Sequence, residues 1–497
     1  MGAEEALVRS MREEVLKPVA SHLRNETQQL PPAKSESAGV RSAQPEAPPL
    51  GVKPTESRQL LDLSEQSPQY LSPVQSNPPS PRVEAARLRR VRALLTGFSS
   101  LVSSHIPKRK AHALFEQWLC DMRSRGCVPN GCVLPDGRNA ETPGGPLRES
   151  MINVGASRQE ANAVCREAGK MSARLAAKLR DSSTLEGRTR PKIRLSEKDI
   201  GGLRSNRKKA RLALGSTAVE LNREHFAKLF VLLRRFHPED TNRDLKEKVF
   251  CVAARYASEC GGQLKAAATQ AALHPEVFEC FKRWLGASVE LFASPLNCRW
   301  APFCSHHPDV DAPFGSLGDA FSFQLPHTIS VQANPPFVES TVSKCALLIE
   351  RMLSNAPHGA TLSFAVVLPE WPNNTGWRRL TRSRFNYKTV KLEALKHGFL
   401  EGAQHTKREV HRPSCHASTV FVLQTEEGAR KWPAVDEFVH ELRNAFAPRH
   451  NSTIKRKRQS TEEPDDDKRQ VSVPDDHSDH TKVKKKDRKR RKQQPAL

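Results

Sequence analysis

Apolar positions recur at helical spacing through the middle of the chain, then give way near residue 288 to short apolar runs set between polar loops. The helical period predicts helices over Val83 to Leu95, Ala111 to Arg123, Arg158 to Leu179, Ala218 to Phe236 and Asn242 to Glu259, with Gly126 to Gly145 as an interrupting loop. The runs beyond predict strands at Ser288 to Ala293, at the end of the broken stretch Ser322 to Ala333, and at Thr361 to Leu368, Phe385 to Leu392 and Thr419 to Gln424. Two helices join them. In Glu339 to Ser354 the residues Val342, Cys345, Ala346, Ile349 and Leu353 share one face, and Val435 to Phe446 closes the series. Thr361 to Leu368 is apolar almost throughout, as in a parallel strand covered on both faces. Strand, loop, helix and strand between Ser322 and Leu368 form a βαβ unit, and ligands of such units sit at the carboxyl ends of the strands.

Composition divides the chain. Residues 1–81 are rich in Pro, Ser, Gln and Glu and read as disordered apart from a short helix near Leu7 to Leu16; Ser67-Pro68, Ser72-Pro73 and Ser80-Pro81 fit proline-directed phosphorylation. Residues 82–286 read as a basic helical domain and 287–448 as an α/β domain. Residues 449–497 read as a disordered basic tail, in which Lys455 to Arg458 and Lys484 to Lys492 fit nuclear-localisation signals. The expected site of action is therefore the nucleus. Lys plus Arg exceed Asp plus Glu by 79 to 55, a formal charge of +24 that points to a polyanionic partner such as RNA. Arg204, Arg207, Lys208, Lys209 and Arg211 would line a track for its backbone. No run of about eighteen apolar residues occurs, so no membrane span is expected. Glu4, Glu5, Glu13 and Glu14 argue against a secretory or transit leader. The 11 cysteines lack paired spacing and read as reduced thiols.

Candidate chemistry concentrates at Asn334-Pro335-Pro336-Phe337, immediately after a predicted strand. An exocyclic adenine amine is a poor nucleophile because its lone pair is delocalised into the ring. Two acceptors, the Asn334 side-chain carbonyl and the Pro335 backbone carbonyl, would hold its N–H groups while Phe337 stacks on the base. The same tetrapeptide also fits a Pro-Pro turn with Phe337 in a core. Ser294-Pro295-Leu296-Asn297 lies where a first cofactor loop belongs, although no glycine-rich loop is present. S-adenosylmethionine is inferred from the amine chemistry, and no metal is expected. Cys298, Cys304, His306 and His307 lack the clean two-plus-two spacing of a zinc site.

The ordered segments Phe292 to Cys298, Phe314-Gly315-Ser316, Ala333 to Phe337, Pro369-Glu370-Trp371, Ser383-Arg384-Phe385 and Gln404-His405 resemble the cap-specific mRNA adenosine N6-methyltransferases, the phosphorylated-CTD-interacting-factor family. The resemblance implies a Rossmann-like S-adenosylmethionine-dependent methyltransferase domain behind a mainly helical domain. Its implied product is N6-methylated (2′-O-methyl)adenosine beside the 7-methylguanosine cap of mRNA. Cofactor and adenine contacts would fall at Asn334, Pro335, Pro336 and Phe337, and substrate contacts at Glu339, Glu370, Trp371, Gln404 and His405. Two other classes stay open: an adenine N6-methyltransferase acting on internal RNA or DNA sites, and a non-catalytic RNA-binding scaffold. Animal members begin with a WW domain, which needs two neighbouring tryptophans, whereas the first tryptophan here is Trp118. The expectation is a member without that domain, which leaves binding to the RNA polymerase II tail uncertain.

Overall fold

A computed structural model describes residues 61–62, 71–102, 106–128, 132–135, 145–180, 190–199, 208–262, 271–406 and 411–448. The predicted helix near Leu7, Ser67-Pro68, Arg204, Arg207 and the basic tail lie outside them. In chain order the elements are α1 (Pro81–Val102), α2 (Lys108–Ser124), α3 (Pro146–Asn153), α4 (Arg158–Arg180), β1 (Arg194–Asp199), β2 (Lys208–Leu214), β3 (Thr217–Asn222), α5 (Arg223–Phe236), α6 (Asn242–Glu259) and α7 (Pro275–Leu285). They continue with β4 (Val289–Glu290), α8 (Pro308–Asp311), β5 (Thr328–Ala333), α9 (Glu339–Ser354), β6 (Thr361–Pro369), α10 (Thr375–Thr381), β7 (Asn386–Leu392), β8 (Gly398–Leu400), β9 (His411–Pro413), β10 (Ser418–Gln424), α11 (Glu426–Lys431) and α12 (Asp436–Phe446).

The main sheet has the order β4-β5-β6-β10-β7. β4, β5 and β6 run parallel, while β10 is antiparallel to both β6 and β7. Residue alternation splits the core into two layers. Phe364, Val366, Leu368, Phe421 and Leu423 pack against Val342, Ala346 and Ile349 of α9. Ala365, Val367, Val420 and Val422 pack against Phe278 and Phe281 of α7 and Phe438, Leu442 and Phe446 of α12. The βαβ unit is therefore present as expected. Gly286 ends α7 in the left-handed region (φ 63), where a Cβ would sit 2.4 Å from Nε1 of Trp432.

Three differences from the sequence reading have physical reasons. First, the helix expected at Ala218 begins only at Arg223, because Thr217–Asn222 is β3 with alternating burial, and the segment before α5 is a three-stranded antiparallel sheet, β1-β2-β3. A Gly215-Ser216 hairpin joins β2 to β3, with Gly215 at φ 56, and Asn222 caps α5 by accepting the His225 N–H. Second, the strand expected over Ser288 to Ala293 shrinks to Val289–Glu290. Third, parts of the segment expected to be disordered lie against the fold. Leu61 is buried, Asp62 N–H donates to the Arg299 carbonyl (2.8 Å), and Val74 N–H donates to the Ser316 carbonyl (3.0 Å). Loop carbonyls of the α/β part supply acceptors that a polar-rich chain can use.

The helical part and the sheet share a core. Leu88 of α1, Phe230 of α5 and Phe250 of α6 belong to one apolar cluster with Leu296, Cys298, Phe303 and Phe314 from the loops after β4. Arg255, which is 1% exposed, pairs with Glu84 (2.7 Å) and Asp309 (2.7 Å), joining α1, α6 and α8. A buried guanidinium persists only when so compensated.

Candidate active site at the carboxyl edge of the sheet

β5 is buried from Ile329 to Ala333 and delivers Asn334 at its carboxyl end. The Asn334 Nδ2 donates to the carbonyl of Ala271 at 3.2 Å. That carbonyl can only accept, so the amide orientation is fixed and Oδ1 faces the other way. Oδ1 is buried without a hydrogen-bond partner. An orphan acceptor of this kind costs about 1–3 kcal/mol until something donates to it. Pro335 is buried, and the Pro336 carbonyl accepts the Val338 N–H at 2.7 Å, tightening the turn into α9. Phe337 is 38% exposed. One edge meets Phe399 (centroids 6.2 Å, T-shaped), which is itself held by His397 and Phe446. The alternative of a core phenylalanine does not fit a ring this open.

The loop after β4 is closed on itself. Ser294 N–H and Oγ donate to Asn297 Oδ1 at 2.7 and 2.9 Å, and Pro295 is buried beneath them. Two charged residues that sequence reasoning passed over hold this loop from below. Lys228, 2% exposed on α5, donates to the carbonyls of Leu296 (3.2 Å) and Cys298 (2.6 Å), and burial draws its pKa down. Glu290 ends β4; its Oε1 accepts the N–H groups of Arg299 (2.6 Å) and Trp300 (2.8 Å), while burial lifts its pKa to about 7. A lysine inside the apolar run Phe226 to Phe230 was the only available signal.

A cavity of about 110 Å³ lies between this loop and the tetrapeptide, lined on the sheet side by Phe292, Asn297, Asp319, Phe321 and Pro336. The rings of Phe292 and Phe321 meet edge-on at 5.8 Å. Helices α2 and α6 contribute Arg123 and Glu259 to the opposite wall. The cavity is smaller than the roughly 300 Å³ of common small-molecule sites.

Of the other predicted residues, Glu339 is exposed in the first turn of α9, and its carbonyl accepts from Asn374 Nδ2 at 3.4 Å. Glu370 follows β6 and pairs with Lys391 (3.0 Å), and Trp371 packs half-buried on the sheet core. These three share the carboxyl edge with Asn334. Gln404 and His405 do not line the cavity. Their carbonyls accept from Asn222 Nδ2 (2.8 Å) and Asn222 N (2.8 Å), so they brace the β3–α5 junction. Burial and the neighbouring Lys228 and Lys209 push the His405 pKa down to about 3. His306 and His307 do come together with Glu259, their ligand atoms within 4.8 Å of one another, and Cys298 and Cys304 stand outside that group. The Arg123 guanidinium, 2.8 Å from the Glu259 carboxylate, already holds the charge a metal would need.

A family model described as the phosphorylated CTD interacting factor 1 WW domain matches residues 226–402, from α5 to β8. The expectation of a chain without a WW domain is therefore not borne out, and it no longer counts against a polymerase-tail partner. The match falls on helices and the main sheet and contains Trp284, Trp300, Trp371 and Trp377, whereas the expectation had searched ahead of Trp118. Two curated relatives, from Homo sapiens and Mus musculus, are each named mRNA (2′-O-methyladenosine-N(6)-)-methyltransferase. They are 36% and 35% identical to this chain over 234 residues, which is 46% of the chain. The matched stretch spans 33% of each relative's length. Over the α5 to β8 stretch that carries Asn334 to Phe337, the chain is thus similar to the phosphorylated CTD interacting factor 1 family.

Proposed function

We propose that the protein is an S-adenosylmethionine-dependent methyltransferase that modifies N6 of the (2′-O-methyl)adenosine next to the 7-methylguanosine cap of mRNA. The observation carrying this reading is the buried, unpartnered Oδ1 of Asn334 beside the open ring of Phe337. Asn334 Oδ1 accepts one N–H of the adenine amine, the Pro335 carbonyl accepts the other, and Phe337 covers a face of the base. Holding both N–H groups turns the nitrogen lone pair out of the ring plane and toward the cavity. S-adenosylmethionine, when bound, would supply a methyl group on a sulfonium, whose sulfur is released as a neutral thioether that needs no acid. Asn297 and Phe292 would hold it from the loop after β4. Glu339, Glu370 and Trp371 flank the entering nucleotide. Helices on both faces and three parallel strands that end at the site support a Rossmann-like reading of the domain.

Cap dependence follows from access. A first transcribed nucleotide is already single-stranded and stacks directly, whereas an internal duplex adenine must be flipped at a cost of a few kcal/mol. The test compares RNA beginning with 7-methylguanosine then adenosine, the same RNA with a 5′ triphosphate, and an internal adenosine, with nucleosides read by mass spectrometry. Methylation should be fastest on capped RNA, and Asn334→Ala should lower turnover about a hundredfold. Comparable rates on all three would replace the cap-specific reading with a general adenine N6-methyltransferase; no methylation of any would leave a scaffold.

A further inference from the structure

We propose that Arg123, from the helical part of the chain, is the residue that grips the α-carboxylate at the amino-acid end of the cofactor. The proposal rests on the methyltransferase reading and deepens it. Arg123 lies in the last turn of α2 and lines the cavity that also holds Asn297 and Pro336. Its Nη1 pairs with Glu259 at 2.8 Å, and the side chain is 13% exposed. The remaining edge of the guanidinium is different: Nε and Nη2 are both buried without a hydrogen-bond partner. That edge presents two parallel N–H groups at the spacing of a carboxylate's oxygens.

A structural ion pair accounts for Nη1 only. Glu259 is also held by His307 through the same Oε1, so the carboxylate is fixed and in turn fixes the guanidinium plane. The fork is consequently pre-set. An amino-acid terminus also brings an ammonium, and Asp319 lines the same cavity as its counter-charge. A cation fork and a carboxylate in one cavity suit a zwitterion better than a phosphate, which would meet the second carboxylate with like charge.

Titration calorimetry with S-adenosylhomocysteine and with 5′-methylthioadenosine, which lacks the amino-acid end, tests this on the full chain. Arg123→Lys keeps the charge opposite Glu259 but removes the fork, and Arg123→Met with Glu259→Gln removes the pair without leaving a lone charge. Both variants should weaken S-adenosylhomocysteine about tenfold or more and leave 5′-methylthioadenosine unchanged. Unchanged binding of both ligands, or equal weakening of both, overturns the assignment. So does a loss confined to capped RNA, which would give the fork to a phosphate. If the unaltered protein binds neither adenosine ligand, the methyltransferase reading falls and takes this proposal with it.

Discussion

Glu290→Gln should stabilise the protein in a strongly pH-dependent way. The carboxyl is 4% exposed at the end of β4, and burial lifts its pKa from 4.5 to about 7 even though two N–H groups and Lys228 favour the charged form. A group with a raised acid pKa binds more protons folded than unfolded between those two values. Stability therefore falls as pH rises from 4.5 toward 7, and the penalty is constant above that. A shift of this size corresponds to about 3 kcal/mol at pH 8 and to little below pH 4.5. Glutamine keeps Oε1 as acceptor for the N–H groups of Arg299 and Trp300 and carries no charge to desolvate. Thermal melts of both proteins at several pH values between 4 and 8 measure the difference. The gain in Tm should grow from near zero at the acid end to about 5 °C at the alkaline end. A difference that stays flat with pH would refute burial as the cause of the shift, and destabilisation throughout would mean that the added amide finds no room.

Phe337→Ala should cost about 1–3 kcal/mol in binding of the adenosine substrate, while Phe337→Tyr and Phe337→Trp keep most of it because a π face remains. Since the ring is 38% exposed, the alanine variant should melt close to the parent, and equal damage from all three changes would point to packing instead. Deleting residues 451–497 should leave cap-dependent turnover intact but abolish nuclear accumulation of a tagged protein and flatten the salt dependence of RNA binding; unchanged localisation would remove the import role assigned to the two basic clusters.

The central strands of the α/β part were legible because they are nearly pure apolar runs. Thr361–Pro369 and Ser418–Gln424 are central strands whose alternate residues feed two different cores, so no polar face interrupts them. The sheet β1-β2-β3 was not legible for the opposite reason. Lys209 and Arg211 alternate with buried Ala210 and Leu212, and a dense charge run hides a two-residue period. The strand ending at Glu290 shrank because Leu291 keeps only a single bond, to the Gln332 carbonyl, before the chain turns away to build the loop. At the site, the tetrapeptide and Asn297 were singled out from their chemistry, whereas Arg123, Asp319 and Phe321, which line the cavity, were not. The buried charges beneath it, Lys228 and Glu290, look like any other Lys and Glu until folding removes their water.

An unpartnered polar atom does not by itself mark a site. Trp300 Nε1 and Gln404 Nε2 are also buried without partners, and of Trp300, Gln404, Asn334 and Arg123 only Arg123 itself lines the cavity, with Asn334 two residues from the lining Pro336. In Asn334 and Arg123 the rest of the side chain is already committed, Nδ2 to the Ala271 carbonyl and Nη1 to Glu259, as it also is in Gln424, which does not line the cavity. A side chain anchored at one end and unsatisfied at the other has lost its rotational freedom before any ligand arrives, so binding pays little further ordering cost. Ser294 and Asn297 show the contrasting case: their polar atoms satisfy each other and shape the loop. Asn297 thereby shapes the loop from which, in the proposed site, it meets the cofactor.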